Sequence, residues 1–295
     1  MKWQKLGLIF CPDSKMSWMQ SHAMLPFAKK INASIFRIYF SVRDETNRGH
    51  GAFLDIDLHD PKKVLNLSSE PVLNPGELGS FDDAGVTLNC ETQINGNRYL
   101  WYTGWSSPAP GSFETFCGLA KYNSHDEQFE KINRTPFLGR SELDPGSIGF
   151  LQVLEHHGRY QMWYESNLGL ARNKIKYAES TDGLHWQMTG IDCIKLKDGE
   201  QMLSRPSVLI ESGEYQMWYS LKINDQYRLG YATSHDGKVW ERRDSEVGIF
   251  PGDDAWESDE IEYPFVFDDQ GDRYMLYNGN AYGKTGFGLA RLVKS

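Results

Sequence analysis

The sequence predicts an all-β fold, a five-bladed β-propeller, on three observations. An aromatic strand motif recurs five times along the chain. Each copy follows an apolar run through a turn and precedes a further short strand. The fifth unit lacks an outer strand, and the N-terminus carries a segment that resembles one.

The motif copies are FRIYFS ending at Ser41, RYLWYTG at Gly104, RYQMWYES at Ser166, EYQMWYS at Ser220 and DRYMLYNG at Gly279. Their matched residues Tyr39, Tyr102, Tyr164, Tyr219 and Tyr277 lie 63, 62, 55 and 58 residues apart. Aromatic and β-branched residues with a period near two are strand chemistry, and this repeat length suits blades of four strands. Upstream stand HAMLPFAKK, AGVTLNCET, IGFLQVLEHH, RPSVLIES and YPFVFDD. The turns between carry Asn32, Asn95-Gly96, His157-Gly158, Ser212-Gly213 and Gln270-Gly271, residues suited to tight hairpins. Downstream come GAFLDIDL, FCGLAKYNS, KIKYAES, RLGYATS and FGLARLV. Outer strands follow in TDGLHWQM and HDGKVWER, whose Trp186 and Trp240 read as core pegs. Lys2-Trp3-Gln4-Lys5 resembles those strands, so residues 2–10 are expected to complete the last blade and leave no long unpaired edge. The blades are expected at about 20–70, 80–135, 146–192, 203–246 and 260–295 with 2–10, as one domain.

The bulk numbers bound the function. A net charge of −9 argues against nucleic acid or an anionic membrane surface as partner. Cys11, Cys90, Cys117 and Cys193 are scattered without a CxxC pair and read as reduced thiols. The apolar stretch near the N-terminus is too short for a secretory signal, and no window approaches a membrane helix. A soluble, cytoplasmic protein without membrane insertion is expected. No EF-hand, P-loop or zinc spacing is present, so neither metal nor cofactor is implied.

In such a fold, the starts of the inner strands and the ends of their partners meet at one mouth of a central channel. The inner-strand starts offer Ser21-His22, Asp82-Asp83, Asp144 with Ser147, Ser204-Arg205, and Glu260 with Glu262-Tyr263. The partner ends offer Arg43-Asp44, Gly104-Trp105, Glu165-Ser166, Ser220 with Lys222, and Asn278, Asn280 and Tyr282. Carboxylates and amides that hydrogen-bond hydroxyls, with rings that stack on sugar faces, suit a hydroxyl-rich ligand.

FDDAGVTLNC with YLWYTGW, SRPSVLIESGEYQMWYS with LGYATSHDGKVWER, and EIEYPFVFDD with YMLYNGNAYGKTGFGLA carry a resemblance. They resemble the five-bladed propellers of glycoside hydrolase families 43, 32, 62, 68 and 130, and most closely an uncharacterised branch associated with bacterial surface-polysaccharide gene clusters. The resemblance spans essentially the whole chain. It implies an acidic group at the inner strands of the first three blades, and an arginine in the fourth. Blade two matches with Asp83 or Asp82, and blade four with Arg205; blade one offers Ser21-His22 and blade three Ser147 instead.

These readings lead to a carbohydrate-active, glycosidase-like enzyme acting on a glycosidic or sugar-nucleotide bond by carboxylate acid–base catalysis. Asp83 and Glu262 are the expected pair, with Asp44 in reserve. His22, Arg43, Asp82, Trp105, Glu165, Arg205, Asn278, Asn280 and Tyr282 are the expected substrate contacts. Two other readings stay open: a sugar-binding propeller without chemistry, and a phosphorylase or glycosyltransferase in which Arg43, Arg48 and Arg205 hold phosphate.

Overall fold

The computed structural model describes residues 1–107, 112–167 and 173–294, and it is all-β. Parts of the expected second, third and fifth blades (108–111, 168–172 and 295) lie outside the described residues. The strands are β1 (Trp3–Phe10), β2 (Ser21–Lys30), β3 (Ile35–Arg43), β4 (Gly49–Asp57) and β5 (Asp60–Leu67). Then come β6 (Gly85–Ile94), β7 (Asn97–Ser106), β8 (Glu114–Asn123) and β9 (Gln128–Lys131). They are followed by β10 (Ser147–His156), β11 (Arg159–Asn167), β12 (Lys174–Ser180) and β13 (Gln187–Asp192). The last are β14 (Glu200–Glu211), β15 (Glu214–Ile223), β16 (Gln226–Ser234), β17 (Glu241–Arg242), β18 (Glu262–Asp269), β19 (Asp272–Asn278) and β20 (Phe287–Leu292).

Strands β10–β13 and β14–β17 form two four-stranded antiparallel sheets. β18, β19 and β20 form a third with β1, which pairs antiparallel with β20. β2–β5 and β6–β9 are two further antiparallel sets, joined by a single parallel bridge between Gly49 and Gly85. The hairpin turns Asn95-Gly96, His157-Gly158, Ser212-Gly213 and Gln270-Gly271 all have positive φ at both residues, the type I′ geometry that follows strand twist.

The middle strands are buried on both faces; Leu100, Trp101 and Tyr102 in β7 are all inaccessible. The reason is that each sheet is covered by its neighbours, and the apolar clusters lie between them. One cluster joins Tyr99 and Trp101 to Ile148 and Met162, another joins Trp163 to Met217, and a third joins Trp218 to Met275. A further cluster joins Phe36 and Ile38 to Leu276 and Phe287, from opposite ends of the chain.

The repeated tyrosine has a structural task. The Tyr102 hydroxyl donates to Asp82, which also pairs with Lys131 at 2.5 Å. Tyr164 donates to Asp144, paired with Lys176 at 2.9 Å, and Tyr219 donates to Asp244, paired with Arg242 at 2.7 Å. Each clamp ties a middle strand to a connecting segment through a carboxylate whose charge is matched, buried at Asp82 and Asp144 and half-buried at Asp244.

A second device repeats between units. The inner strands β2, β10, β14 and β18 break register at a bulge, where Leu25, Phe150, Arg205 and Tyr263 take positive φ. A bulge re-aims the side chain at the cost of an unpaired backbone group. That group is satisfied from the preceding unit: Phe150 N–H donates to Thr103 Oγ1 at 2.8 Å and Tyr263 N–H to Ser220 Oγ at 2.7 Å. Leu25 N–H donates to Asn278 Oδ1 at 2.8 Å, across 253 residues of chain.

Candidate functional site

The bulges bring parts of every strand set to one mouth, where they enclose a cavity of about 330 Å³. Leu25, Phe150 and Tyr263 form its apolar floor with Met24. The Phe150 and Tyr263 rings stack at 6.4 Å and 7°. Aromatic walls come from Trp105, Phe113, Tyr227 and Tyr282. Polar side chains reach in from Arg43, Thr87, Thr115, Ser147, Glu165, Asn167, Asn173 and Ser204.

Glu165 is the carboxylate of this wall among the described residues. It stands at the end of β11 and is 5% exposed, with Asn173 Nδ2 donating to its Oε1 and the Ser204 hydroxyl beside it. Burial pushes its pKa up to about 7, against the opposing pull of Ser204 and Asn173. A carboxyl that keeps its proton near neutrality can donate it to a leaving group.

Arg43 also lines the cavity, with its guanidinium 5.6 Å from the Trp105 ring. His22 adjoins it at a positive-φ position; burial, then the Arg43 and Lys284 charges, bring its pKa down to about 4, so the ring is neutral. Ser21 Oγ lies 2.8 Å from its Nδ1. His22 itself is not in the cavity wall.

Of the expected site residues, Arg43, Trp105, Glu165 and Tyr282 meet in the cavity, and the remainder stand elsewhere. Asp82 belongs to the Tyr102–Lys131 clamp and is buried there. Asp83 caps a turn, accepting the Gly79 N–H at 2.8 Å. Asp44 closes its own loop; hydrogen bonds from Arg48 N–H, His50 and Thr46 hold its pKa low despite partial burial. Asn278 is fully spent on Ala23, Gly286 and Leu25, and Asn280 stitches the Ala255–Glu260 loop.

Glu262 is completely buried beside the cavity, and neither oxygen makes a well-formed hydrogen bond. Burial, then the neighbouring Glu260 carboxylate, hold its pKa well above the usual range. Glu165 and Glu262 both act electrostatically on the Tyr227 and Tyr263 phenols. Arg205, at the bulge position of β14, turns away from the wall. It is fully buried, and its Nη1 donates to the Leu151 carbonyl at 3.4 Å. Arg48 is tied to the carbonyls of Asp83 and Gly76.

Phe113, Phe150, Tyr227 and Asn173 went unread in the sequence. Phe150 sits within the first strand of its unit, and Tyr227 lies at the start of β16, a third strand, whereas the sequence pattern points to first and second strands. Among the described residues no three His, Cys, Asp or Glu side chains gather as a metal site.

No family model matches the chain. Among solved structures it resembles a glycosyl hydrolase from Bacteroides ovatus, at TM-score 0.71 and 13% identity over 99% of this chain and 90% of that one. It also resembles a thermostable family-43 glycoside hydrolase, at 0.70 and 16% over 93% and 91%. An alpha-L-arabinofuranosidase from Podospora anserina in complex with cellotriose matches at 0.68 and 11% over 98% and 95%. At such identities these likenesses show the fold, which is the glycosidase-like propeller fold. Two Mycobacterium tuberculosis sequences, the uncharacterized proteins Rv1502 and MT1551, are each 40% identical over 299 residues, 99% of both chains. On that identity and coverage, the chain belongs to the family of Rv1502, and it is built on the glycosidase-like propeller fold.

Proposed function

We propose that the protein is a carbohydrate-active, glycosidase-like enzyme, and that its five strand sets close into a single ring around the cavity. Ring closure is supported by the packing of β18 against β2 and by the Asn278 brace on Leu25. One observation carries the function: a carboxyl with a pKa raised to about 7, Glu165, faces a cavity walled by aromatic rings and hydroxyls. The cavity volume of about 330 Å³ suits one sugar ring, with Trp105, Tyr227 and Tyr282 as stacking faces.

In this reading Glu165 is the general acid that protonates the glycosidic oxygen as the bond to the anomeric carbon breaks. Glu262, fully buried outside the described wall and with its pKa raised, is poorly suited to be the ionised second carboxyl. Asp83 and Asp44 have no part in it. A cytoplasmic role in surface-polysaccharide metabolism belongs to the same proposal and rests on the sequence resemblance alone.

The single carboxylate in the described wall favours a second reading, a sugar-binding protein without turnover, because glycoside hydrolysis ordinarily uses two. Turnover of an aryl-glycoside and sugar-nucleotide panel, with calorimetric binding in parallel, separates the two. For an enzyme, Glu165→Gln lowers turnover by about 10²- to 10⁴-fold and keeps binding. Binding without turnover by the unaltered protein across the panel would leave the second reading standing.

A further inference from the structure

Arg43 and Glu165 are the charged side chains of the described cavity wall. Half-buried Arg228 is held by the carbonyls of Tyr227 and Asp259, while Arg37 is matched by the carboxylate of Asp55, Arg98 by that of Glu91, and Arg242 by those of Glu200 and Asp244. Arg43 has no carboxylate partner among the described residues. Its Nη1 donates to a neutral amide, Asn47 Oδ1, at 2.9 Å. Its Nε is buried without a partner among the described residues, and no described residue accepts a hydrogen bond from the Nε–Nη2 edge of the fork. The guanidinium lies 5.6 Å from the centre of the Trp105 ring.

The surroundings add to the positive charge. Lys284 and Arg43 both act on His22, and burial opposes the Arg43 charge. A partly desolvated guanidinium with a free two-donor edge is matched by one chemistry in particular, a planar or tetrahedral oxyanion that accepts both N–H groups.

We infer that the Arg43 corner is an oxyanion subsite, and that the ligand of the cavity is a sugar bearing a carboxylate or phosphate group. This rests on the sugar-pocket reading given above. Glu165 stands in the same wall and, protonated, does not oppose an anion there.

Calorimetry with glucose, glucuronate and glucose 1-phosphate tests the inference, with inorganic phosphate as the sugar-free probe. At low salt the unaltered protein is expected to bind at least one charged sugar about 10-fold or more tightly than glucose. Which of the two wins identifies the oxyanion. Arg43→Gln abolishes that preference, and Arg43→Lys, which keeps the charge but loses the fork, restores only part of it. Thermal melts establish that both variants are folded. Equal binding of glucose and the charged sugars, or a preference that survives in Arg43→Gln, overturns the oxyanion subsite and leaves the sugar pocket intact. Arg43-dependent binding of inorganic phosphate with every sugar refused supports the subsite and removes the sugar pocket. Refusal of all four probes overturns the subsite together with the pocket.

Discussion

Replacing Glu165 by Gln makes the protein's stability less sensitive to pH, by an amount the structure sets. The carboxyl titrates near an ordinary 4.5 in the unfolded chain and at about 7 in the folded one, where burial opposes its charge. Between those values the native state keeps a proton that the unfolded state has lost. Its stabilising contribution is therefore fully present below 4.5 and disappears as pH rises through about 7. A gap of about 2.5 pH units at 1.36 kcal/mol each amounts to about 3 kcal/mol. Gln resembles the protonated acid in shape and can still accept from Asn173. The variant and the parent are thus expected to be about equally stable near pH 4.5, with the variant ahead by about 3 kcal/mol at pH 8. Glu262 titrates in both proteins and cancels in the difference. Urea unfolding followed by tryptophan fluorescence across this pH range measures it. A difference that moves by less than about 1 kcal/mol would mean that Glu165 is not held protonated, and the general-acid assignment would fall with it. For an enzyme, kcat/KM also declines above about pH 7 as the acid ionises.

Three further substitutions test the frame around the site. Asp82→Ala leaves the buried Tyr102 hydroxyl without its acceptor and the partly exposed Lys131 without its partner, and is expected to cost about 1–3 kcal/mol in urea unfolding. Ligand affinity of the folded fraction is unaffected, and a cost below 1 kcal/mol would refute the clamp. Glu262→Leu removes a buried carboxyl whose oxygens lack good partners, so at pH 7 stability is expected to rise by about 1–3 kcal/mol; a fall would reveal a bond that matters. Gly85→Ala places a Cβ 2.4 Å from the Trp105 ring and 2.5 Å from the Gly49 nitrogen. Both Trp105 and the Gly49–Gly85 bridge have to move, so stability falls and loss of the Trp105 stacking weakens sugar binding by about 3- to 10-fold in calorimetry.

The strands were legible because their signals are local. Aromatic alternation and X-Gly turns act within ten residues, and they correctly marked β7, β11, β15 and β19 with their hairpins. The clamps were not legible as clamps. Asp82 and Asp144 precede the inner strands in successive units, and a carboxylate in that place looks like chemistry when read alone. Their partners Lys131 and Lys176 lie 49 and 32 residues away, a separation that no local pattern encodes.

The site was half legible for a related reason. Second-strand ends continue a regular ladder, and Glu165, Arg43 and Trp105, read from those ends, line the cavity. Inner-strand starts pass through bulges, which insert residues that period-two counting cannot see. At those bulges Leu25, Phe150 and Tyr263 line the cavity, while Arg205 is buried outside its wall with Nη1 on the Leu151 carbonyl. The braces separate framework from function more sharply than the repeat does. One residue past the repeated tyrosine stand Phe40, Thr103, Glu165, Ser220 and Asn278. Thr103, Ser220 and Asn278 each accept the N–H of the bulge residue in the following unit. A hydroxyl or an amide suffices for that task, and a carboxylate there bears an added desolvation cost. The third unit alone carries that cost, and it does so where Glu165 faces the cavity. Features that recur in every unit hold a repeat fold together, so a chemical role belongs to the position that breaks the pattern against its own stability. By that criterion Asp82, whose clamp recurs around Asp144 and Asp244, is framework, and Glu165 is the position proposed for the chemistry.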